Sequence, residues 1–243
     1  MWKHKKVAAY TGTRNLYPMM VPAVKSLLVN SDVDEIWLFI EDDEFPKKYN
    51  MPEEIVKTRN VSNQRYFKSD GPNMNSHFTY MAMMRATFSK EFPDLDRILS
   101  LDVDTIIAND ISEIWDLPID DYYLSAAEEP SRTDELDYLY TNIGVCLYNL
   151  EKLRDGKADE VIEALNNKTY KYVEQDAFNE LCQNYIYPLS PEYNSTIFTK
   201  VVSNPKIAHF AGEKRWNRKV IVQKYNDASW SEVMKYRKLN YGK

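Results

Sequence analysis

Cysteine is nearly absent from this chain of 243 residues: Cys146 and Cys182 are the two, and both sit among apolar neighbours. They read as buried free thiols, so nothing calls for a disulfide framework or an oxidising compartment. Long apolar runs are missing as well. The basic stretch from Met1 to Lys6 runs into only Val7-Ala8-Ala9-Tyr10, too short for a signal sequence, and no segment approaches the length of a membrane span. These absences predict a cytoplasmic protein. Glycine is sparse at six residues, and neither the spaced glycines of a dinucleotide fingerprint nor the Gly-Lys-Ser/Thr of a P-loop occurs. Any nucleotide is therefore held in another way. A formal charge of -6 argues against general nucleic-acid binding.

What is present supports a sizeable core. With 44% hydrophobic residues, the chain is expected to fold as one domain over 1–243. Its 13% aromatic content, including 18 Tyr and 5 Trp, suits a protein that handles sugars or bases. Charge is unevenly spread: residues 213–243 carry nine Lys/Arg against three acids, a basic C-terminal extension. That segment fits a solvated face, a patch for an anionic partner, or a membrane-surface contact, and the solvated face is preferred.

Residues 98–107, Ile-Leu-Ser-Leu-Asp-Val-Asp-Thr-Ile-Ile, read as a buried strand interrupted by two carboxylates. Residues two apart in a strand share a face, so Asp102 and Asp104 would converge on one small volume. Two ionised carboxylates there repel each other unless a cation or water meets them. Two readings follow: a divalent metal at the carboxyl end of the strand, or a strand that stops at Leu101 with two solvated aspartates in a turn.

Upstream, Val7 to Tyr10 is a strand that breaks at Thr11-Gly12-Thr13-Arg14-Asn15, followed by a helix near Met19 to Leu28 and a strand over Ile36 to Ile40. That order is a βαβ opening, the start of a mononucleotide-binding half. A minor strand is expected near Ile55 to Val61. A helix from His77 to Phe92 follows, with Tyr80, Met84 and Phe88 on one stripe and Arg85 at its border. Arg85 is either a surface charge covering Met81 or a guanidinium aimed toward the acids of the next strand. Downstream come a strand at Tyr123 to Ala127, a loop over 131–140, a glycine-bearing strand over 141–150, and a helical pattern over 151–166. Glu174-Gln175-Asp176 opens a further helix, where first-turn acids commonly serve the helix dipole. A short strand ends at His209 and Gly212. A lone histidine there is ordinarily hydrogen-bonded structure, and His4 and His77 have no supporting context.

The order of these pieces resembles glycosyltransferase family 8, the retaining enzymes that include glycogenin and bacterial lipopolysaccharide galactosyltransferases. The matching blocks are Ala9 to Leu28, Arg85 to Ile107 with Leu-Asp-Val-Asp, Asn142 to Arg154, Glu174-Gln175-Asp176, and His209 to Trp216. The resemblance implies an α/β fold of GT-A type, a Rossmann-like mixed β-sheet flanked by helices. It implies a metal site of Asp102, Asp104 and His209, suited to Mn²⁺ or, less well, Mg²⁺. Thr11, Gly12, Thr13, Asn15 and Tyr17 would hold the uridine end of a UDP-sugar and Lys214 would touch its diphosphate, with Val103 and Gly212 also among the donor-binding residues. Arg85, Asn142, Gln175 and Asp176 would line the sugar side. Two departures stand out: one residue is missing before Lys214 relative to the family's C-terminal motif, with Arg215 in place of proline, and Thr13 stands where relatives often have an acid.

The implied reaction is transfer of a hexose to an acceptor hydroxyl with retention, the acceptor being a glycan, a protein or a lipid-linked target. Gln175 is a poor nucleophile, which favours front-face attack over a double displacement, for which Asp176 is the nearby carboxylate. A nucleotidyltransferase or sugar-nucleotide processing enzyme, and a non-catalytic glycan-binding relative, are the rival expectations.

Overall fold

The computed structural model describes residues 4–212 and 220–242. Lys214, Arg215 and Trp216 lie outside the described residues. Nine strands are assigned among those described: β1 (Val7–Thr11), β2 (Glu35–Ile40), β3 (Val56–Asn60), β4 (Arg97–Leu101), β5 (Thr105–Ile107), β6 (Leu124–Glu128), β7 (Thr141–Asn149), β8 (Ile186–Pro188) and β9 (Ile207–His209). Seven form one mixed sheet in the order β3-β2-β1-β4-β7-β6-β8, while β5 and β9 pair separately. The first four of that order are mutually parallel, and β7 runs antiparallel to both β4 and β6. Every residue of β1, β4 and β7 is buried, as their unbroken runs require of strands covered on both faces.

Apolar layers cover both sides. One gathers the Tyr17–Asn30 helix against Ala8, Tyr10, Leu99 and Leu101; the other gathers Phe88, Val161 and Phe178 against Val7, Ala9 and Tyr148. The Tyr17–Asn30 helix is longer than the expected Met19 to Leu28. Apolar residues on all its sides and Pro18 in its first turn explain the earlier start. Two helices near the C-terminus, Val220–Asp227 and Trp230–Tyr241, pack on it, and Arg237 turns inward to donate to the carbonyls of Ser31 and Val33. At least one charge of the basic segment is therefore structural. No described helix is long and apolar enough to cross a membrane.

Several elements differ from expectation. A continuous strand over 98–107 does not form; the alternative, a strand that stops at Leu101 with Asp102 to Asp104 in a turn, does, and β5 belongs to the second sheet. The helix at 77–92 is broken into Thr79–Met83, a tight turn over Met84–Thr87, and Phe88–Glu91. The pattern over 151–166 splits into Leu150–Leu153 and Lys157–Asn167 at Gly156, whose φ of 102° no ordinary helix continues through. Residues 131–140, expected as loop, contain the helix Pro130–Leu136, which proline at its first position favours.

Strand order reverses between β1 and β4, so the loops leaving their carboxyl ends open onto one crevice. The β6/β7 register shifts between Ala126/Cys146 and Ala127/Asn142, a bulge that places Gly144 beside that crevice.

Candidate metal centre

Asp102 is tied to the sheet by its amide, which donates to the Gly144 carbonyl at 2.7 Å, and its own carbonyl accepts from the Thr105 amide and hydroxyl. The turn is thus fixed at both ends, and convergence of the two aspartates comes from this turn rather than from strand alternation. The β5–β9 pair sets Thr105 opposite His209, and the Phe210 amide donates to the Asp104 carbonyl at 3.0 Å. A segment about a hundred residues downstream is thereby delivered to the acids. His209 Nε2 lies 3.4 Å from Asp102 Oδ2 and 3.3 Å from Asp104 Oδ1. One ligand atom from each of the three lies within 4.8 Å of the others, the one such cluster of three or more among the described residues.

These residues fit a divalent cation on two observations. His209 Nε2 is buried without a hydrogen-bond partner, a costly state for a polar atom unless something meets it. Opposite it, a Cβ built on Gly144 would lie 2.3 Å from His209 Cε1 and 2.6 Å from Asp102 Oδ2. Only glycine leaves that cradle open. The donor set of carboxylate oxygens and one imidazole suits Mn²⁺ better than Mg²⁺.

Electrostatics agree. Burial alone would raise the Asp102 pKa, but the Arg85 guanidinium and His209 hold it well below the usual carboxylate range. Burial alone would lower the His209 pKa, but the facing carboxylates of Asp102 and Asp104 raise it to about 9. Arg85 is buried, bonded to Asp102, and 3.3 Å from Glu174, so it is an internal counter-ion rather than a surface charge. Burial lifts Glu174 to about 7 despite the pull of Arg85. Its place in the first helical turn, which suggested a dipole role, conceals this pairing.

Two cavities, of about 340 and 440 Å³, adjoin at Arg85 and Asp102. The larger is walled by Thr11, Gly12, Thr13, Asn15, Val103 and Asp104; the smaller by Asn142, Gln175, His209 and Glu129. Gly212, at φ 67°, belongs to both and carries the Phe198 ring against its backbone. Tyr17 stands apart: its ring packs on Phe45, with centroids 4.2 Å apart, and its hydroxyl donates to Asp42 at 3.0 Å. Asp176 is set behind the wall, accepting from the Tyr140 hydroxyl at 2.5 Å and the Tyr172 amide at 2.8 Å. Gln175 is on the wall itself, its Oε1 accepting from the Ile143 amide at 3.2 Å and its Nε2 donating to Tyr140 at 3.1 Å.

Four residues on or behind this wall had no signal in the sequence: Glu129, Asn194, Tyr140 and His77. Glu129 is buried, which raises its pKa, and accepts from Asn142. Asp176 is thus not the sole carboxylate near Gln175. Glu129, Asn194 and Tyr140 depend on long-range hydrogen bonds that no local pattern encodes, and His77 lines both cavities beside Phe78.

The sequence model of the family described as "Glycosyl transferase family 8" matches residues 9–220. General stress protein A of Bacillus subtilis is 26% identical over 259 residues, spanning 88% of this chain and 88% of that protein. WbbM, a bifunctional glycosyltransferase, superposes with a TM-score of 0.75 at 15% identity over 97% of this chain, which spans about half of it, 52%. A galactosyltransferase, LgtC, in complex with donor and acceptor sugar analogues, gives 0.66 at 16% identity, covering 95% of each chain. These likenesses establish the fold: the mixed sheet flanked by helices is of GT-A type.

Proposed function

The chain belongs to glycosyl transferase family 8, and from that premise we propose that it transfers a hexose from a UDP-sugar to an acceptor hydroxyl, with retention at the anomeric carbon and with dependence on a divalent cation, preferably Mn²⁺. The observation that carries the metal is the buried His209 Nε2, which makes no hydrogen bond and faces two carboxylates. A cation held by Asp102, Asp104 and His209 would supply Lewis-acid neutralisation of the charge that builds on a leaving diphosphate.

The chain's own groups divide the remaining work. The Thr11–Asn15 loop and Val103 wall the cavity proposed for the nucleotide, and Asn142, Gln175 and Glu129 wall the cavity proposed for the sugar. Arg85 is committed to Asp102 and Glu174, so its contribution is to keep Asp102 ionised and aimed. Gln175 is an amide whose two ends are already engaged, which suits orienting a sugar rather than attacking it and favours front-face attack. The acceptor is taken to be a glycan, protein or lipid-linked target, not nucleic acid. A cytoplasmic location suits the two buried free thiols.

The deciding experiment measures UDP release from UDP-glucose, UDP-galactose and UDP-N-acetylglucosamine, with Mn²⁺ and with EDTA. Mn²⁺-dependent UDP release with one donor is expected, and its absence with every donor and acceptor overturns the reading. Release of pyrophosphate would instead mark a nucleotidyltransferase. Asp176→Asn and Glu129→Gln then test the mechanism: each should keep a measurable part of transfer. Complete loss in either, with UDP and Mn²⁺ binding intact, would favour double displacement.

Metal binding should also depend on pH. His209 must lose a proton to ligate, and without metal it holds that proton up to about pH 9. Mn²⁺ affinity should therefore rise by about tenfold per pH unit from pH 6 to 8, one proton being released per ion. Titrations across that range that show no slope would remove His209 from the ligand set.

A further inference from the structure

Asn194 is fully buried at the end of the Pro191–Tyr193 turn, in a stretch that carries no motif. The turn is pinned: the Tyr193 hydroxyl donates to Glu113 at 2.6 Å, and Ser195, which follows Asn194, bridges to Ala208 in β9. That bridge sets the Asn194 side chain against His209, with Oδ1 at 2.7 Å from the imidazole Nδ1.

The orientation of this amide can be worked out from a fixed donor. The Gly144 backbone N–H donates to Asn142 Oδ1 at 3.2 Å, so that atom is the carbonyl oxygen of its amide. Asn142 Nδ2 correspondingly donates to Glu129 at 3.4 Å. Asn194 presents one end to two acceptors, Asn142 Oδ1 at 3.0 Å and the Asn142 backbone carbonyl at 3.2 Å. That end must be its NH₂. The other end, Oδ1, therefore faces His209, and a carbonyl oxygen can only accept. His209 Nδ1 must carry the proton, which leaves the Nε2 lone pair of the neutral ring directed at Asp102 and Asp104.

We propose that Asn194 is the positioning residue of the metal centre, fixing the tautomer and ring plane of His209 through an amide whose direction is dictated by Asn142 and the Gly144 backbone. This rests on the metal reading of the preceding subsection. It adds a mechanical link: the same Asn142 that orients Asn194 also walls the sugar cavity, so the ligand and the sugar side share one hydrogen-bonded chain. Outer partners of metal-bound histidines commonly contribute at this scale, ten- to a hundredfold in affinity.

The test compares wild type, Asn194→Leu and Asn194→Asp as full chains. Mn²⁺ alone is titrated by electron paramagnetic resonance, and the imidazole ¹⁵N–¹H spectrum is recorded without metal. With three histidines in the chain, the His209 signals are assigned by one His209→Gln control. Asn194→Leu should weaken Mn²⁺ by about ten- to a hundredfold and remove the exchange-protected Nδ1 proton of His209. Asn194→Asp keeps the acceptor facing Nδ1 but sets a second carboxylate oxygen against the two Asn142 carbonyl oxygens, so it should retain the proton and more of the affinity than the Leu variant, though not all of it. If Asn194→Leu does not fold, Asn194→Ala takes its place. Wild-type Mn²⁺ affinity with an unchanged Nδ1 resonance in the Leu or Ala variant overturns the proposal, and so does equal loss in the Asp and Leu variants. Failure of wild type itself to bind Mn²⁺ brings down the metal reading and this proposal with it. A protected Nδ1 proton in that case shows that the fault lies with the metal.

Discussion

Gly144→Ala should strip the protein of Mn²⁺ affinity, by a hundredfold or more, while leaving the sheet intact. The added methyl would lie 2.3 Å from His209 Cε1, 2.6 Å from Asp102 Oδ2 and 3.1 Å from Asn142 Oδ1, so at least one must move. None is free to do so cheaply. His209 is bound between β5 and Asn194, Asp102 is gripped by Arg85, and Asn142 bonds Asn194. Gly144 is not among the positive-φ residues, so alanine brings no backbone strain and the effect is confined to the crevice. Overpacking of this kind costs about 1–3 kcal/mol of stability, and a displacement of about 1 Å in a positioned group is enough for a hundredfold loss of turnover. Calorimetric Mn²⁺ titration beside a thermal melt checks both halves. Retained affinity in a folded Gly144→Ala protein would mean that the acids and the imidazole do not act around a common point.

Arg85→Met should be the most destabilising single change near the site. It leaves Glu174 buried without its cation and removes the charge that holds Asp102 ionised. Breaking one side of a buried ion pair costs about 3–5 kcal/mol, a fall of roughly 10 °C in Tm for a chain of this size. The loss has a pH signature whose sign follows from Glu174. Its folded pKa, about 7, already lies above the ordinary carboxylate value, so its burden on the fold is absent below about pH 4 and grows as pH rises toward 7. Without Arg85 the burden grows further. The Tm deficit of Arg85→Met should therefore be smaller at pH 5 than at pH 8. An equal deficit at both would mean that lost packing, not charge, is responsible.

Much of this arrangement can be read in the chain because it is local. Unbroken apolar runs mark β1, β4 and β7 as central, and the opening strand, glycine loop and helix mark a nucleotide-type half. The Asp-x-Asp is visible, and a stop at Leu101 is one of its two readings, but strand periodicity alone would put Asp102 and Asp104 on one face of a continuous strand, whereas the turn after Leu101 does the converging. That turn is stabilised by Gly144 and Thr105, and a partner from a distant strand leaves no trace in the local pattern. Glu174 shows the same limit. A first-turn acid has an ordinary explanation, and only burial against Arg85 reveals another. Asn194 and Glu129 carry no periodic or motif signal, since their roles consist entirely of long-range hydrogen bonds. The break at Gly156 has a local cause, a glycine inside a helical pattern taking a positive φ.

The pairing of β5 with β9 also bears on how the protein is born. A ribosome adding about 5–20 residues per second delivers Asp102 and Asp104 several seconds before the three-residue strand that carries His209. Arg85, already synthesised by then, is the cation on hand to neutralise Asp102 through that interval. The nascent chain can close its parallel half early, and the three side chains proposed to hold a metal can meet only once His209 has been made.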